Sequence, residues 1–314
     1  MKLTHLAVTN WRNFAHIEFD MSSRLFVVGP NSSGKTNLLG ALRFLGDIGR
    51  RGLVAASEDL GGPDRYFRSG ADSASFVATF DDTQNSAEFA LFLRLMSVGS
   101  ESTKRGSDAD QESAFPMTDP LTGEPNDRYL DVQYTITAGG KKPVDGGESF
   151  PVEDEAAWRT KVRHILSGIR YIHPNPKKML ERADRYDPDH GTGFFQHAGR
   201  FSDRQLDAAL DRIRPIMAAA VPEVPNLSYL RMGLGTEVVF YSDTPDPGAR
   251  GVYSHEQFSE GTLRLLGMLF DLAMLPLTTS IVLIEEPETF LQASVVRSMS
   301  AFLAEVAMNH DVQM

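Results

Sequence analysis

A glycine-rich stretch reads Gly29-Pro30-Asn31-Ser32-Ser33-Gly34-Lys35-Thr36 and matches the phosphate-binding pattern G-x-x-x-x-G-K-[ST] at every fixed position. The apolar run 25–28 before it predicts a strand that is buried on both faces. Leucines at helical spacing after it predict a helix with one buried face: Leu38, Leu39, Leu42 and Leu45. Strand, glycine loop and helix in this order are the context that a phosphate loop requires.

The loop pattern predicts binding of ATP and Mg²⁺. Gly29 and Gly34 allow backbone conformations that a side chain would forbid, so consecutive N–H groups can point at one anion. The N-terminus of the following helix adds a partial positive charge. We expect Lys35 to reach the β- and γ-phosphates and the Thr36 hydroxyl to bind Mg²⁺. The candidate ATP-binding residues are residues 29–36 and Asn37; the alternative is a chance glycine turn before a helix.

The composition narrows the class of protein. The chain has 314 residues, of which 41% are hydrophobic and 23% charged, as in ordinary globular proteins. It has no cysteine, which excludes disulfides, thiolate zinc sites and cysteine nucleophiles. No apolar run approaches the roughly 20 residues of a membrane span, and the N-terminus lacks the apolar core of a signal peptide. We therefore expect a cytoplasmic protein without a membrane partner.

The charge gives a mixed indication about nucleic acid. A formal net charge of −11 argues against a surface broadly coated for DNA. A local basic cluster nevertheless occurs within residues 159–185: Arg159, Lys161, Arg163, Arg170, Lys177, Lys178, Arg182 and Arg185. It is either a DNA contact or a solvated surface, because acidic residues interleave at its far end. DNA therefore remains a candidate partner.

A second motif is an apolar strand, 281–284, that ends in Glu285 and Glu286. Beside a phosphate loop, one such carboxylate helps to hold Mg²⁺ through water, and the next orients or deprotonates the attacking water. We therefore expect Glu285 to bind the metal together with Thr36, and Glu286 to be catalytic. The alternative is an ordinary acidic strand end that Pro287 terminates.

A third motif opens the apolar helix predicted over 263–275 and reads Ser259-Glu260-Gly261-Thr262. A serine hydroxyl and a glycine N–H at a helix N-terminus can form a second anion site. Alternatively, Ser259 is a plain N-cap and Glu260 interacts favourably with the helix dipole. The pattern alone leaves both interpretations open.

The three motifs together resemble the ATP-binding-cassette class of ATPases, and within it the RecF/SMC-like and OLD-type AAA proteins of DNA repair and phage defence. Members often have an Asn-Phe-Arg-like turn after the first strand, here residues 10–14. They also have an S-x-G-T signature, here residues 259–262, and a Glu-Glu-Pro-Glu strand end, here residues 285–288. The resemblance covers roughly residues 1–95 and 230–314.

The resemblance implies an α/β P-loop NTPase fold with an antiparallel β-subdomain and an inserted helical lid. It implies an ATP-dependent homodimer in which Ser259 and Gly261 reach the γ-phosphate held by the partner's phosphate loop, and it places Arg12 near the nucleotide. The activity expected is Mg²⁺-dependent ATP hydrolysis. An ATP-gated clamp or sensor with slow hydrolysis, which regulates an effector such as a nuclease, is the alternative. A P-loop kinase or GTPase is disfavoured because it explains neither the signature nor the paired glutamates.

The expected organisation is a single ATPase domain over 1–314. It comprises a phosphate-loop lobe with the β-subdomain (1–96), a flexible insertion (97–127), a strand plus helical lid (128–229), and a lobe with the signature and the acidic strand (230–314). We expect the chain to end before the strand that carries a switch histidine in related proteins, with 311–314 as its beginning. The glutamine loop of the class is sought near 171–173, where no glutamine occurs. Residues 173–200 give no shape prediction.

Overall fold

The computed structural model describes residues 2–81, 86–97, 114–118, 125–138, 155–243, 252–289 and 293–314. They form two compact units: the first comprises residues 1–169 with Gln313, and the second comprises residues 170–312 with Met314. In the described part of the chain, no helix is long and apolar enough to cross a membrane.

The first unit is built on a six-stranded sheet. Its strands are β1 (Lys2–Trp11), β2 (Phe14–Asp20), β3 (Ser73–Asp81), β4 (Ser86–Ser97), β5 (Ala114–Thr118) and β6 (Pro125–Ala138). The order is β2-β1-β3-β4-β6-β5, and each pairing is antiparallel. Alternate residues of β3, including Phe76 and Phe80, are buried, as the period of two in its sequence requires. The predicted antiparallel β-subdomain is confirmed.

Four helices accompany this sheet: α1 (Lys35–Arg51), α2 (Leu53–Asp59), α3 (Pro63–Tyr66) and α4 (Glu155–Ser167). The predicted buried face of α1 is confirmed, since Leu38, Leu42 and Leu45 are buried. Trp11 lies at the centre of an aromatic cluster, with ring centroids 5.3 Å from Phe44 and 5.4 Å from Tyr66. This cluster fixes the end of β1 against α1, the helix that follows the phosphate loop.

One sequence expectation about the first unit is wrong, and another expected segment contains a strand that was not predicted. Residues 25–28 form no strand, and Phe26 and Val28 are 76% and 92% exposed. Apolarity indicates a tendency to be buried, whereas a strand also needs a hydrogen-bonding neighbour, and no described strand pairs with this run. Within the expected insertion 97–127, Ala114–Thr118 forms β5, because the long β6 offers it an edge. Residues 98–113 and 119–124 lie outside the described part of the chain.

The second unit contains five strands and five helices in its described residues. The strands are β7 (Ile169–Ile172), β8 (Ser228–Met232), β9 (Glu237–Asp243), β10 (Val252–Ser254) and β11 (Ile281–Ile284). The helices are α5 (Pro176–Met179), α6 (Phe194–Ala198), α7 (Asp203–Ala220), α8 (Glu260–Ala273) and α9 (Ala293–His310). Strands β10, β9 and β8 form one sheet in that order, and β11 pairs with β7 in another.

The core of the second unit surrounds α8. Phe270 of α8 packs edge-on against Phe194 and Phe240, with ring centroids 5.3 and 5.7 Å apart. Helix α7 begins at a capping box formed by Ser202 and Gln205. The helices predicted near 153–166, 203–220 and 263–275 are all confirmed, with ends within three residues of those predicted.

Within 311–314, where a strand was expected to begin, Gln313 forms an isolated β-bridge. The Gln313 side chain, which belongs to the first unit, also pairs with the main chain of Leu3. Its Oε1 accepts from the Leu3 N–H, and its Nε2 donates to the Leu3 carbonyl, both at 2.8 Å. A side-chain amide here makes the two bonds that a neighbouring strand would otherwise make.

Candidate active site

The phosphate loop of the first unit ends in a left-handed glycine. Gly34 has φ +102° and is the N-cap of α1, so no side chain of its own competes with an anion for the first amides of the helix. A Cβ at this position would lie 2.5 Å from Asn13 Nδ2. Lys35 folds back over the loop, and its Nζ donates to the carbonyl oxygens of Gly29 at 2.7 Å and Pro30 at 2.8 Å.

Asn37 ties the first turn of α1 to the β1–β2 turn. Its carbonyl accepts from Trp11 Nε1 at 2.7 Å, and its side-chain Oδ1 accepts from Arg12 Nη1 at 3.2 Å. Its Nδ2 donates to Asn13 Oδ1 at 2.7 Å. The amide of Asn37 is bonded at both ends to protein and so holds the β1–β2 turn against α1, and its predicted contact with ATP stays a prediction.

Arg12, which the sequence resemblance places near the nucleotide, lies beside α1. It has φ +48°, and its guanidinium carbon lies 5.6 Å from the centre of the Trp11 ring. Burial, and then the charge of Arg43, lowers the pKa of Arg12. Its Nε is buried without a hydrogen-bond partner among the described residues. A partly desolvated cation next to a phosphate loop is a favourable partner for an anion.

Glu285 follows β11 in the second unit and is held from β7. Its N–H donates to the Ile172 carbonyl at 3.4 Å, and its Oε2 accepts a hydrogen bond from the Tyr171 hydroxyl. His173 Nδ1 lies 3.8 Å from the same oxygen. Burial, and then the charge of Arg264, lowers the pKa of His173. The structure shows that a tyrosine orients this carboxylate, and its metal-binding role stays a prediction.

Glu286 has a strained backbone and an exposed side chain. Its φ of +48° lies in the left-handed region, which costs a non-glycine residue about 1–3 kcal/mol. The Thr289 N–H donates to its carbonyl at 3.1 Å, and Thr289 Oγ1 donates to its Oε2 at 3.3 Å. Glu286 lies beyond the end of β11, and its exposed carboxylate can accept a proton from water.

Arg264 is a site residue that sequence reasoning missed. Its Nη2 donates to the carbonyl oxygens of Glu285 at 3.1 Å and Glu286 at 3.4 Å, and it lies 3.3 Å from His173 Nδ1. The available signal was one arginine between apolar positions of the helix, since its neighbours Leu263 and Leu265 are buried. A charge in such a helix needs partners, and these acceptors supply them.

Ser259 caps α8, as one of its two interpretations predicted. Its Oγ accepts from the Thr262 N–H at 3.1 Å and lies 2.9 Å from Thr262 Oγ1. A cavity of about 440 Å³ adjoins this end of the helix, with Ser259, Glu260, Gly261, Thr262, Leu265, Glu223, Val221 and Ala220 in its wall. The capping role is therefore confirmed, and the anion-binding role in a dimer stays a prediction.

Part of the basic cluster over 159–185 has partners within the protein. Arg163 Nε donates to the Gly49 carbonyl at 3.3 Å in the first unit. Arg182 Nη2 lies 2.6 Å from Glu237 Oε2 in the second unit. These two arginines have structural roles, and DNA contact by the cluster stays a prediction.

The expected Mg²⁺ ligands supply oxygen donors. Thr36 of the first unit carries a hydroxyl and Glu285 of the second a carboxylate, which are donors that Mg²⁺ prefers. Within the described residues, no group of three or more histidine, aspartate or glutamate side chains could hold a metal by itself. The donor chemistry therefore fits a cation that is also bound by phosphate oxygens and water.

Comparison with known proteins gives similarities to a family, to a curated protein and to a solved structure. A family described as "AAA domain, putative AbiEii toxin, Type IV TA system" matches residues 25–307. The chain is similar to the DNA replication and repair protein RecF of Leifsonia xyli subsp. xyli (strain CTCB07), with 43% identity over 51 residues, or 16% of this chain and 13% of that protein. It is also similar to the SMC head domain from Thermotoga maritima, with a TM-score of 0.47 and 14% identity over 100% of this chain and 87% of that one.

Proposed function

Because the chain belongs to this family of AAA domains, we propose that it binds ATP with Mg²⁺ and hydrolyses it. The family match also confirms the P-loop ATPase class that the motifs predicted. The observation that carries the proposal is the phosphate loop itself: Gly34 in the left-handed region at the start of α1, with the Lys35 ammonium folded over the loop. Backbone amides and one cation are thereby directed to the same place.

Each side chain then has a definite task. The amides of the loop and Lys35 bind the phosphates, and Thr36 and Glu285 hold Mg²⁺. When bound, Mg²⁺ neutralises the charge of the phosphate oxygens and favours attack by water. Tyr171 orients the Glu285 carboxylate through its hydroxyl. Glu286 accepts the proton of the attacking water, for which its exposed carboxylate is suited.

We further propose that two copies associate around ATP. Ser259 is exposed at the start of α8, and Gly261 lies within the first turn of the helix. A helix N-terminus with a hydroxyl and a glycine amide suits a phosphate presented by a second copy. The homodimer would then contain two shared nucleotide sites, each with the phosphate loop of one copy and residues 259–262 of the other.

The biological setting proposed is DNA repair or anti-phage defence, with an effector such as a nuclease as the second partner. The similar RecF protein is named for DNA replication and repair, and the family description names a toxin system. A test is ATP hydrolysis with and without duplex DNA at two salt concentrations, because binding through phosphates weakens with salt. An unchanged rate in every condition would contradict a DNA-coupled role.

An ATP-gated clamp with slow hydrolysis is the second candidate. It is favoured by one contact, the hydrogen bond from Thr289 Oγ1 to Glu286 Oε2 at 3.3 Å, which occupies one of the acceptor sites that the attacking water could use. Steady-state turnover with ATP, GTP and no Mg²⁺ tests both candidates. Rapid Mg²⁺-dependent ATP turnover supports the enzyme, tight binding with very slow turnover supports the clamp, and an equal preference for GTP contradicts both.

A further inference from the structure

We propose that Arg264 is a positioning residue that couples the start of α8 to the main chain of the catalytic glutamate. The inference rests on the proposed function and extends it. It names the side chain through which contact between residues 259–262 and the partner copy's nucleotide reaches Glu286.

The guanidinium lies where two carbonyls that follow β11 meet the His173 ring that follows β7. Its Nη2 donates to the carbonyls of Glu285 at 3.1 Å and Glu286 at 3.4 Å, and His173 Nδ1 is 3.3 Å away. These two carbonyls belong to the peptide groups on either side of the Glu286 Cα. The guanidinium therefore restrains the φ and ψ angles of Glu286, which set the direction of its carboxylate. The Glu285 side chain is held separately, by the Tyr171 hydroxyl.

The backbone of Glu286 needs such a support. A residue at φ +48° is strained, and it keeps this conformation only when its surroundings impose it. Thr289 holds the Glu286 carbonyl through its N–H at 3.1 Å, and Arg264 holds the same carbonyl from α8. Loss of the guanidinium should therefore let the main chain relax and turn the carboxylate away from its working position.

Helix α8 can transmit a displacement because it is packed tightly on most sides. Gly261 and Arg264 are three positions apart and so lie on one face of the helix. Leu263, Leu265 and Leu266 are 2%, 1% and 0% exposed, so the helix cannot rotate alone without exposing apolar surface. A shift at its first turn must carry the guanidinium along, and with it the two carbonyls.

The experiment compares Arg264→Ala with the matched variant Arg212→Ala. Arg212 also donates from a guanidinium to a main-chain carbonyl of α8, but at the opposite end, to Ala273 at 3.4 Å. Sedimentation with a non-hydrolysable ATP analogue measures the ATP-dependent dimer. Steady-state kinetics measure kcat and KM for ATP separately. Circular dichroism confirms that each variant is folded.

For Arg264→Ala we expect normal dimerisation and an unchanged KM, with kcat lowered roughly 10- to 100-fold because the catalytic base is misplaced. Arg212→Ala should keep the kcat of the unmodified protein. Arg264→Lys should recover kcat only in part, since an ammonium lacks the planar fork of arginine. If Arg264→Ala does not fold, Arg264→Lys decides, and a full kcat in that variant overturns the proposal.

Other results separate this inference from the proposed function. An unchanged kcat in Arg264→Ala overturns the positioning role alone. Loss of dimerisation together with kcat also overturns it, because Arg264 would then serve the dimer contact instead. If the unmodified protein neither dimerises with ATP nor hydrolyses it, the proposed function fails first.

Discussion

The Nζ atom of Lys35 donates a hydrogen bond to the main-chain oxygen of Gly29 at 2.7 Å, across the loop that connects them. A second bond reaches the Pro30 oxygen at 2.8 Å. The ammonium is thus already positioned where a phosphate would be cradled. Phosphate oxygens carry a full negative charge and are stronger acceptors than carbonyl oxygens, so ATP can displace both bonds.

The first prediction concerns this ammonium. Lys35→Ala should abolish ATP binding, because the phosphates lose the cation that the loop supplies. Calorimetry with ATP and Mg²⁺ measures the affinity, and Lys161→Ala, which removes an exposed lysine of α4, is the control. Unchanged affinity in Lys35→Ala would show that the loop does not bind the phosphates.

The second prediction concerns Glu286, the carboxylate proposed to be catalytic. Glu286→Gln should retain ATP and lose hydrolysis, because an amide can accept a hydrogen bond but cannot take the proton. The trapped ATP should then favour the dimer in sedimentation. Glu288→Gln, which changes another exposed glutamate two positions on, should hydrolyse ATP normally. A Glu286→Gln variant with normal turnover would remove this residue from the mechanism.

The third prediction concerns pH and the stability of the second unit. Burial raises the pKa of Asp271 from 3.8 to about 7, against the opposing effects of the Tyr186 hydrogen bond and the Arg170 charge. The folded state therefore holds this proton more tightly, and the free energy of unfolding should fall as the pH rises from about 4 through 7. Asp271→Asn removes that titration and can still accept from Tyr186.

Urea unfolding of both proteins at pH 5 and pH 8 measures this effect. We expect the variant to gain stability relative to the unmodified protein at pH 8, and to gain less or lose at pH 5. Taking the difference in unfolding free energy between the two proteins at each pH cancels the titration of the groups that they share. An equal difference at the two pH values would show that Asp271 titrates near its ordinary pKa in the folded protein.

The fourth prediction compares two glycines of α1. A Cβ at Gly49 would lie 2.5 Å from the Ser167 main-chain nitrogen, so Gly49→Ala should push α4 away and destabilise the first unit by about 1–3 kcal/mol. A Cβ at Gly40 meets nothing nearer than 3.9 Å, so Gly40→Ala should stabilise α1 by about 0.5–1 kcal/mol. Thermal unfolding checks both, and equal effects of the two substitutions would contradict this packing.

The sequence predicted those features that depend on local pattern. The leucines of α1 and the apolar run of α8 recur at helical spacing, and both helices formed where they were expected. Features that depend on a distant neighbour were not predictable. β5 exists because β6 offers an edge, and 25–28 is no strand because no described strand pairs with it.

The residues of the candidate site divide in the same way, into those that a local pattern predicts and those that depend on distant neighbours. Residues 29–36 and 285–286 were identified because their chemistry follows from adjacent positions. Arg264 was missed because its acceptors, around His173 and Glu285, are remote in sequence. Asn37 was identified as an ATP contact, and only its bonds to Arg12 and Asn13 show that its side chain holds the turn.

The central claim is that two copies share each nucleotide site, and Ser259→Arg tests it at the proposed contact. Because Ser259 is exposed, the larger side chain should leave ATP affinity of the single copy nearly intact and block ATP-dependent dimerisation. If Ser259 is only the cap of α8, the variant should lose about 1 kcal/mol of stability and dimerise normally.

The most direct measurement mixes Ser259→Arg with Lys35→Ala subunits and follows ATP hydrolysis. In a shared-site heterodimer, one site joins an intact phosphate loop to an intact residue 259, and the other joins the two damaged halves. If the sites are shared, the mixture hydrolyses ATP faster than either variant alone. A rate equal to the mean of the two separate variants, at concentrations where subunits exchange, would contradict shared sites.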